Sequence, residues 1–283
     1  MCFRKVTTHH SNYAGSTLVG IILCLLVSPV QAKLGERYQL SIGTYLTRLN
    51  TNLAINTDTN EGVDLEDDLG FNKKVNAGWI GGRYRVGENH RIQLNYIPIS
   101  RSASLKNSKD IIIDNTTIKA GASVSSTVKT AVYDFSYIYS LYKTPNLELG
   151  FSTGLYILEY NIDIAAEGKI QLEGENQPST QSNYETHQKL LAPTPLIGFI
   201  LDYEVNPSWR VHTSLRYFSL KVNRVSGFFT NAVIGTEYYW NKNWGIGASF
   251  SFFSMKIDAE SIVTKSEIVW EHNGPFLYAV YKY

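Results

Sequence analysis

Residues 275–283 read Pro-Phe-Leu-Tyr-Ala-Val-Tyr-Lys-Tyr, an alternating run with the signature of a membrane-crossing strand. Side chains alternate along an extended strand, so Leu277, Ala279, Tyr281 and Tyr283 share one face, and the stretch closes on an aromatic ring. Nine segments upstream alternate in the same way and are joined by tight turns and long polar loops in turn. Strands cross a bilayer only as a closed barrel, because an open edge would leave backbone groups unpaired in hydrocarbon. The expectation is an all-β chain: a transmembrane antiparallel up-and-down β-barrel of about ten strands, with eight or twelve left open. A soluble tyrosine-rich β-sandwich is the competing reading, and it leaves an export signal without a purpose.

That signal occupies residues 1–32, with residues 33–283 as the barrel domain. Arg4 and Lys5 give it a positive end, Leu18–Val27 an uncharged apolar run, and Val30-Gln31-Ala32 small residues for cleavage. The run is too short to span a bilayer as a helix. Cys24 lacks the small residue that lipid attachment wants ahead of it, so no lipid anchor is expected. Both cysteines, Cys2 and Cys24, leave with the signal, which excludes disulfides, zinc thiolates and a catalytic thiol. Loss of Arg4 and Lys5 takes the formal charge from +1 to −1, and no basic excess remains to attract nucleic acid. Tyrosine, with 19 residues, leads an aromatic content suited to membrane interfaces.

The strands are read at about Tyr38–Arg48, Val75–Val86, from His90, Ser123–Tyr142, from Leu147, Leu190–Val205, from Trp209, through Ile234–Trp240, from Trp244, and Thr264–Tyr283. Beyond Tyr96 the alternation slips onto Ile97 and Ile99, and Pro98 cannot donate to a ladder, so a bulge is expected there. Pro193 and Pro195 are placed near the outer rim. The connections at 87–89, 143–146, 206–208 and 241–243 are short; those at 49–74, 105–122 and 166–189 are long and polar. Short turns face the periplasm in such barrels and long loops the exterior. Tyr142, Trp209, Trp240 and Trp244 flank the short turns as a periplasmic aromatic girdle.

On the inward face fall five basic residues, Arg83, Arg85, Arg91, Arg210 and Arg216, and five acidic ones, Asp134, Glu148, Asp202, Glu204 and Glu237. Opposite charges in a narrow lumen should pair, because an unpaired charge away from water is costly. The expectation is a salt-bridge plug of the OmpA type in a non-enzymatic barrel, structural or surface-interacting. A narrow channel for small solutes is the alternative. A third reading uses Asp202, His212, Ser214 and Glu237, a histidine between carboxylates with a serine nearby, as raw material for hydrolysis. His212-Thr213-Ser214 resembles, at two residues, the His-x-Ser of lipid A deacylase barrels. The surrounding sequence departs, and an inward periplasmic histidine would not meet outer-leaflet lipid, so His212 is assigned to the lumen network.

The first long loop carries Asp58, Glu61, Asp64, Glu66, Asp67 and Asp68. Asn56, Asp58 and Asn60 fit the first places of a calcium loop, but Glu61 holds the place of the required glycine and Asp67 that of the closing glutamate. The loop is read as acidic and solvated, with no metal and no cofactor. Val63-Asp64-Leu65-Glu66-Asp67-Asp68-Leu69-Gly70, the stretch from Leu191-Ala192-Pro193 to Gly198, and Gly274-Pro275-Phe276-Leu277-Tyr278 resemble a family of proteobacterial outer-membrane barrels with no assigned activity. The resemblance implies the fold and the compartment and lends no catalytic residue. Expected partners are outer-membrane lipids and lipopolysaccharide, with the loops open to an extracellular partner. Nucleic acid is excluded and a monomer expected.

Overall fold

The computed structural model describes residues 34–57, 63–108, 110–113, 116–171, 182–222, 225–260 and 265–283. The proposed signal, together with Asp58 and Glu61, lies outside the described residues. Among the described residues fourteen strands run in chain order. They are β1 (Tyr38–Thr57), β2 (Val63–Asp64), β3 (Lys74–Arg85), β4 (His90–Lys106), β5 (Ile111–Ile113), β6 (Thr116–Ile118) and β7 (Ser123–Lys143). There follow β8 (Leu147–Gly168), β9 (Ile170–Gln171), β10 (Ser182–Asn206), β11 (Trp209–Val222), β12 (Val225–Tyr239), β13 (Trp244–Glu260) and β14 (Lys265–Lys282). Ten of them form one antiparallel meander that closes where β14 pairs with β1, Gln39 opposite Lys282 and Thr51 opposite Trp270. The short β2 adds to β1, and β5, β6 and β9 form a separate three-stranded sheet.

Alternation sorts the faces as the period of two requires. Leu40, Ile42, Leu94, Phe199, Leu215 and Phe252 point outward and stay exposed, while Gln39, Ser41, Glu148, Asp202 and Glu237 point inward and are buried. Outward positions turn polar at Arg48, Lys74, Ser100, Lys129, Glu159 and Lys189, which marks the outer limit of an apolar belt. The girdle residues Tyr142, Trp209, Trp240 and Trp244 are exposed at the opposite end, with Trp209 against Tyr238 and Trp244 against Tyr281.

The expected bulge at Pro98 is absent. The β4–β7 register runs without a shift through Ile97↔Val132, Pro98↔Ala131 and Ile99↔Thr130. Ile97 and Ile99 are apolar because they point into an apolar part of the lumen, where both are buried, and the strand never changes phase. Pro98 is tolerated because the β3–β4 ladder ends at Ile80↔Tyr96, leaving β4 a neighbour on one side only. Pro193 and Pro195 follow the same rule: they pair with β8, while the β10–β11 ladder stops at Ile197↔Tyr217. A shift does occur on β7, between Ser140 and Tyr142 beside the short turn at 143–146.

Several strands outrun their sequence reading. β1 continues past Arg48 to Thr57, and β10 begins at Ser182, pairing with β8 up to Ser182↔Gly168. A membrane crossing takes about ten tilted residues, so the 25 residues of β10 carry its ribbon with β8 well beyond the bilayer.

Candidate functional site

The lumen is filled in layers, and each layer follows from which residues the strands turn inward. Nearest the short turns lies a network of charges. β3 presents Arg83 and Arg85, β4 Arg91, β8 Glu148, and β10 Asp202 and Glu204. Arg85 binds Glu148 through Nη2–Oε2 at 2.6 Å, and Glu148 also accepts from Ser140 Oγ at 2.5 Å. Arg91 reaches Asp202 at 2.8 Å and lies 3.7 Å from Glu148; Arg83 lies 3.4 Å from Asp202. Arg210 is clamped by Glu36 through two contacts of 2.7 and 2.9 Å, by Glu204 at 3.0 Å, and by Glu237 at 4.0 Å. Glu237 accepts from Gln39 Nε2 at 2.9 Å, Tyr239 Oη at 2.6 Å and Tyr278 Oη at 3.2 Å. Lys282 completes the group, 3.6 Å from Glu204 and 3.8 Å above the Tyr239 ring.

Glu36 lies ahead of β1, at the mouth beside the short turns. Burial raises its carboxyl pKa, but the charge and hydrogen bonds of Arg210 outweigh burial and bring it down to about 2.

Further along the barrel stands a separate pair, Arg216 and Asp134, joined bidentately at 2.7 and 2.8 Å. Ser136 and Asn231 take the remaining guanidinium protons, and Asn95 and Ser136 donate to Asp134. Above it the lining changes to rings. Tyr45 stacks on Phe276 at 3.9 Å, Phe253 on His272 at 4.3 Å, and Tyr156 packs against both Phe229 and Phe253. Tyr45 Oη sits 2.6 Å from His272 Nδ1 and Tyr156 Oη 3.4 Å from Nε2, so this buried imidazole has a partner for each nitrogen. A cavity of about 120 Å³ lies between the charges and the rings, lined by Arg83, Asp134, His212, Arg216, Trp79 and Phe276 among others. A water takes about 30 Å³ in the liquid, so the space suits a few molecules.

The outer mouth is capped by chain. Leu65, Leu69 and Phe71 of the first loop are buried with Ile118, Ile170, Val124, Val128 and Tyr160. Glu66 is buried too: it pairs with Arg101 and accepts from the Thr51 N–H at 2.7 Å. The loop expected to be acidic and solvated therefore turns part of itself inward. Asp64 and Asp67 remain at its surface, Asp64 accepting from the Asp67 N–H and Asp67 paired with Lys73 at 2.7 Å. Among the described residues no cluster of three metal-ligating side chains occurs.

The sequence reading missed Glu36, Arg101, Glu66 and Lys282. Arg101 carried a readable signal, because an unbroken β4 puts it in phase with Ile97 and Ile99.

His212 is buried opposite Asp202 and beside Gly235, where an added Cβ would stand 2.6 Å from Nε2. Among the described residues its Nδ1 meets no protein partner, and no hydrogen bond joins it to Ser214. The carboxylates beside it are committed elsewhere, Asp202 to Arg83 and Arg91, and Glu237 to Gln39 and two tyrosines.

No protein-family model and no curated protein matches the chain. Among solved structures it is similar in fold to the outer membrane protease OmpT from Escherichia coli, with a TM-score of 0.52 at 11% identity over 87% of this chain and 96% of that one. It also matches OprG from Pseudomonas aeruginosa, with a TM-score of 0.35 at 10% identity over 90% and 99% of the two chains. Ail of Yersinia pestis matches with a TM-score of 0.30 at 8% identity over 88% and 100%. The likeness is one of fold. With its closed ladder, apolar belt and aromatic girdle, the protein is an outer-membrane β-barrel.

Proposed function

We propose that this barrel is a non-conducting, non-enzymatic outer-membrane protein whose working surface is its extracellular cap. The observation that carries the reading is the double filling of the lumen. Ion pairs occupy the periplasmic half and a ring-packed core the outer half. A pore needs a continuous wet path, and buried aromatic side chains resist wetting where buried ion pairs alone could share space with water. His212 acts as a packed lumen residue, since its neighbouring carboxylates already serve arginines. Outside the membrane the β8–β10 ribbon and the small sheet of β5, β6 and β9 offer a built platform for a partner.

Single-channel recording of the refolded protein in a planar bilayer tests this. A folded but silent barrel is expected. Reproducible steps would overturn it in favour of a narrow channel, and their ion selectivity would identify the lumen charges that govern passage.

A further inference from the structure

Like charges directly opposite on neighbouring strands repel, and this barrel neutralises such pairs from within. Arg85 faces Arg91, and Glu148 lies between them at 2.6 and 3.7 Å. Glu148 faces Asp202, and Arg91 bridges the two. Asp258 faces Glu267, and Lys256 serves both at 3.6 and 3.1 Å.

Arg48 of β1 faces Lys74 of β3 on the outward surface. Both are exposed, and no carboxylate of the described residues pairs with either. The nearby Lys73 is occupied by Asp67, and across β14 the neighbour of Arg48 is the neutral Asn273. Glu271, diagonal to Arg48 across β14, is held by Asn50 and Ser254, so among the described residues the pair has no counter-ion of its own and is open to one from outside the chain.

The location says what supplies it. Arg48↔Lys74 is the last rung of the β1–β3 ladder and stands at the outer limit of the apolar belt, two positions beyond Leu46 and six beyond Ile80 on the outward faces. Headgroup phosphates of the outer leaflet lie at that level. Below the pair the wall is recessed: Gly78 faces outward, and a Cβ placed there would meet nothing within 4 Å. On the far side of Gly78 the β3–β4 ladder has already ended. A chain descending from a headgroup past Asn76 can lie in this recess between Thr44, which faces Gly78 on β1, and Pro98 of β4.

We infer that Arg48 and Lys74 bind a phosphate of the outer-leaflet glycolipid, the lipid A moiety of lipopolysaccharide, with an acyl chain seated over Gly78. The inference rests on the orientation of the barrel and is independent of the reading of the lumen.

The test is delipidated, folded protein titrated in detergent with bisphosphorylated lipid A, dephosphorylated lipid A and inorganic phosphate, with bound lipid counted by native mass spectrometry. Each basic side chain near an anionic surface contributes about fivefold, so the phosphorylated form should bind about thirtyfold more tightly than the dephosphorylated one. The double variant Arg48→Ala/Lys74→Ala should erase that preference. Lys129→Ala should keep it, because Lys129 is equally exposed but faces the neutral Ser100 and Asn161. Equal binding of the two lipids by the unaltered protein would overturn the inference, whatever the variants do. So would displacement of lipid A by millimolar-range phosphate, or equal losses in all variants.

Discussion

The periplasmic and outer halves of this barrel are closed by opposite chemistries. In the periplasmic half each of the ten strands is paired on both sides, and the lumen holds arginines and carboxylates shared among several partners. In the outer half two ladders end early, β3–β4 at Ile80↔Tyr96 and β10–β11 at Ile197↔Tyr217. There the interior is Tyr45, Phe253, Trp270 and Phe276, with loop residues above them. Strand pairing and lumen filling thus compensate for each other. Where the ladder is complete, directional ion pairs can be held in register. Where it opens, non-directional apolar packing predominates around the buried Arg101–Glu66 pair, because it tolerates wall movement that would break a bidentate contact.

The largest test of this contrast is Arg210→Ala. It strands Glu36, Glu204 and Glu237 in the buried layer and should cost about 3–5 kcal/mol, seen as a lower urea midpoint of the folded barrel. A cost below about 1 kcal/mol would mean that water reaches the layer freely.

Acid should act on the same layer. The carboxyl of Glu36 titrates at about 2 when folded against 4.5 ordinarily. Its contribution, about 3 kcal/mol at most, is therefore complete above pH 4.5 and disappears as pH falls from there toward 2. Unfolding midpoints of the native protein should drop over that window, and a Glu36→Gln variant should drop less.

In the outer half, Arg101→Met or Glu66→Leu alone should each cost about 2–3 kcal/mol, and the double variant clearly less than their sum. Additive losses would show that Arg101 and Glu66 do not depend on each other. The smallest effect belongs to Pro98→Ala. With no β3 partner at that height, restoring the N–H should change stability by less than about 0.5 kcal/mol. A larger gain would mean that β3 and β4 can pair further than Ile80↔Tyr96.

The wall of the barrel was legible in the sequence because lipid outside and packed interior impose a strict period of two. Outward Leu40, Phe135, Phe199 and Ile246 could be assigned from that alone. The lumen was legible only in part. Arg83, Asp202 and Glu237 announced themselves as charges on an otherwise apolar ladder, but their partners depend on strand tilt, which no local pattern carries. Ile97 and Ile99 mislead because apolar residues facing a lumen look, by alternation alone, like residues facing lipid. Past Ile99 the run Ser100-Arg101-Ser102-Ala103-Ser104 leaves the lipid, so no outward apolar residue fixes the phase, and Arg101 was lost with it. The early start of β10 was hidden for the same reason, since Ser182–Lys189 is polar on both faces.

The pairing of β1 with β14 has a consequence for how the molecule is made. Gln39 meets Lys282 and Glu237, and Glu36 meets Arg210, so the periplasmic ion pairs join the start of the chain to its last third. Contacts this distant in sequence form late, after the ordering cost of everything between has been met. The charge layer is then a latch thrown at the end of assembly. Before it closes, β1 and β14 stand open as edges and Glu36 and Arg210 lack each other, so the unfinished barrel depends on whatever escort shields those edges. Once Arg210 is clamped, the barrel reopens only by unfolding.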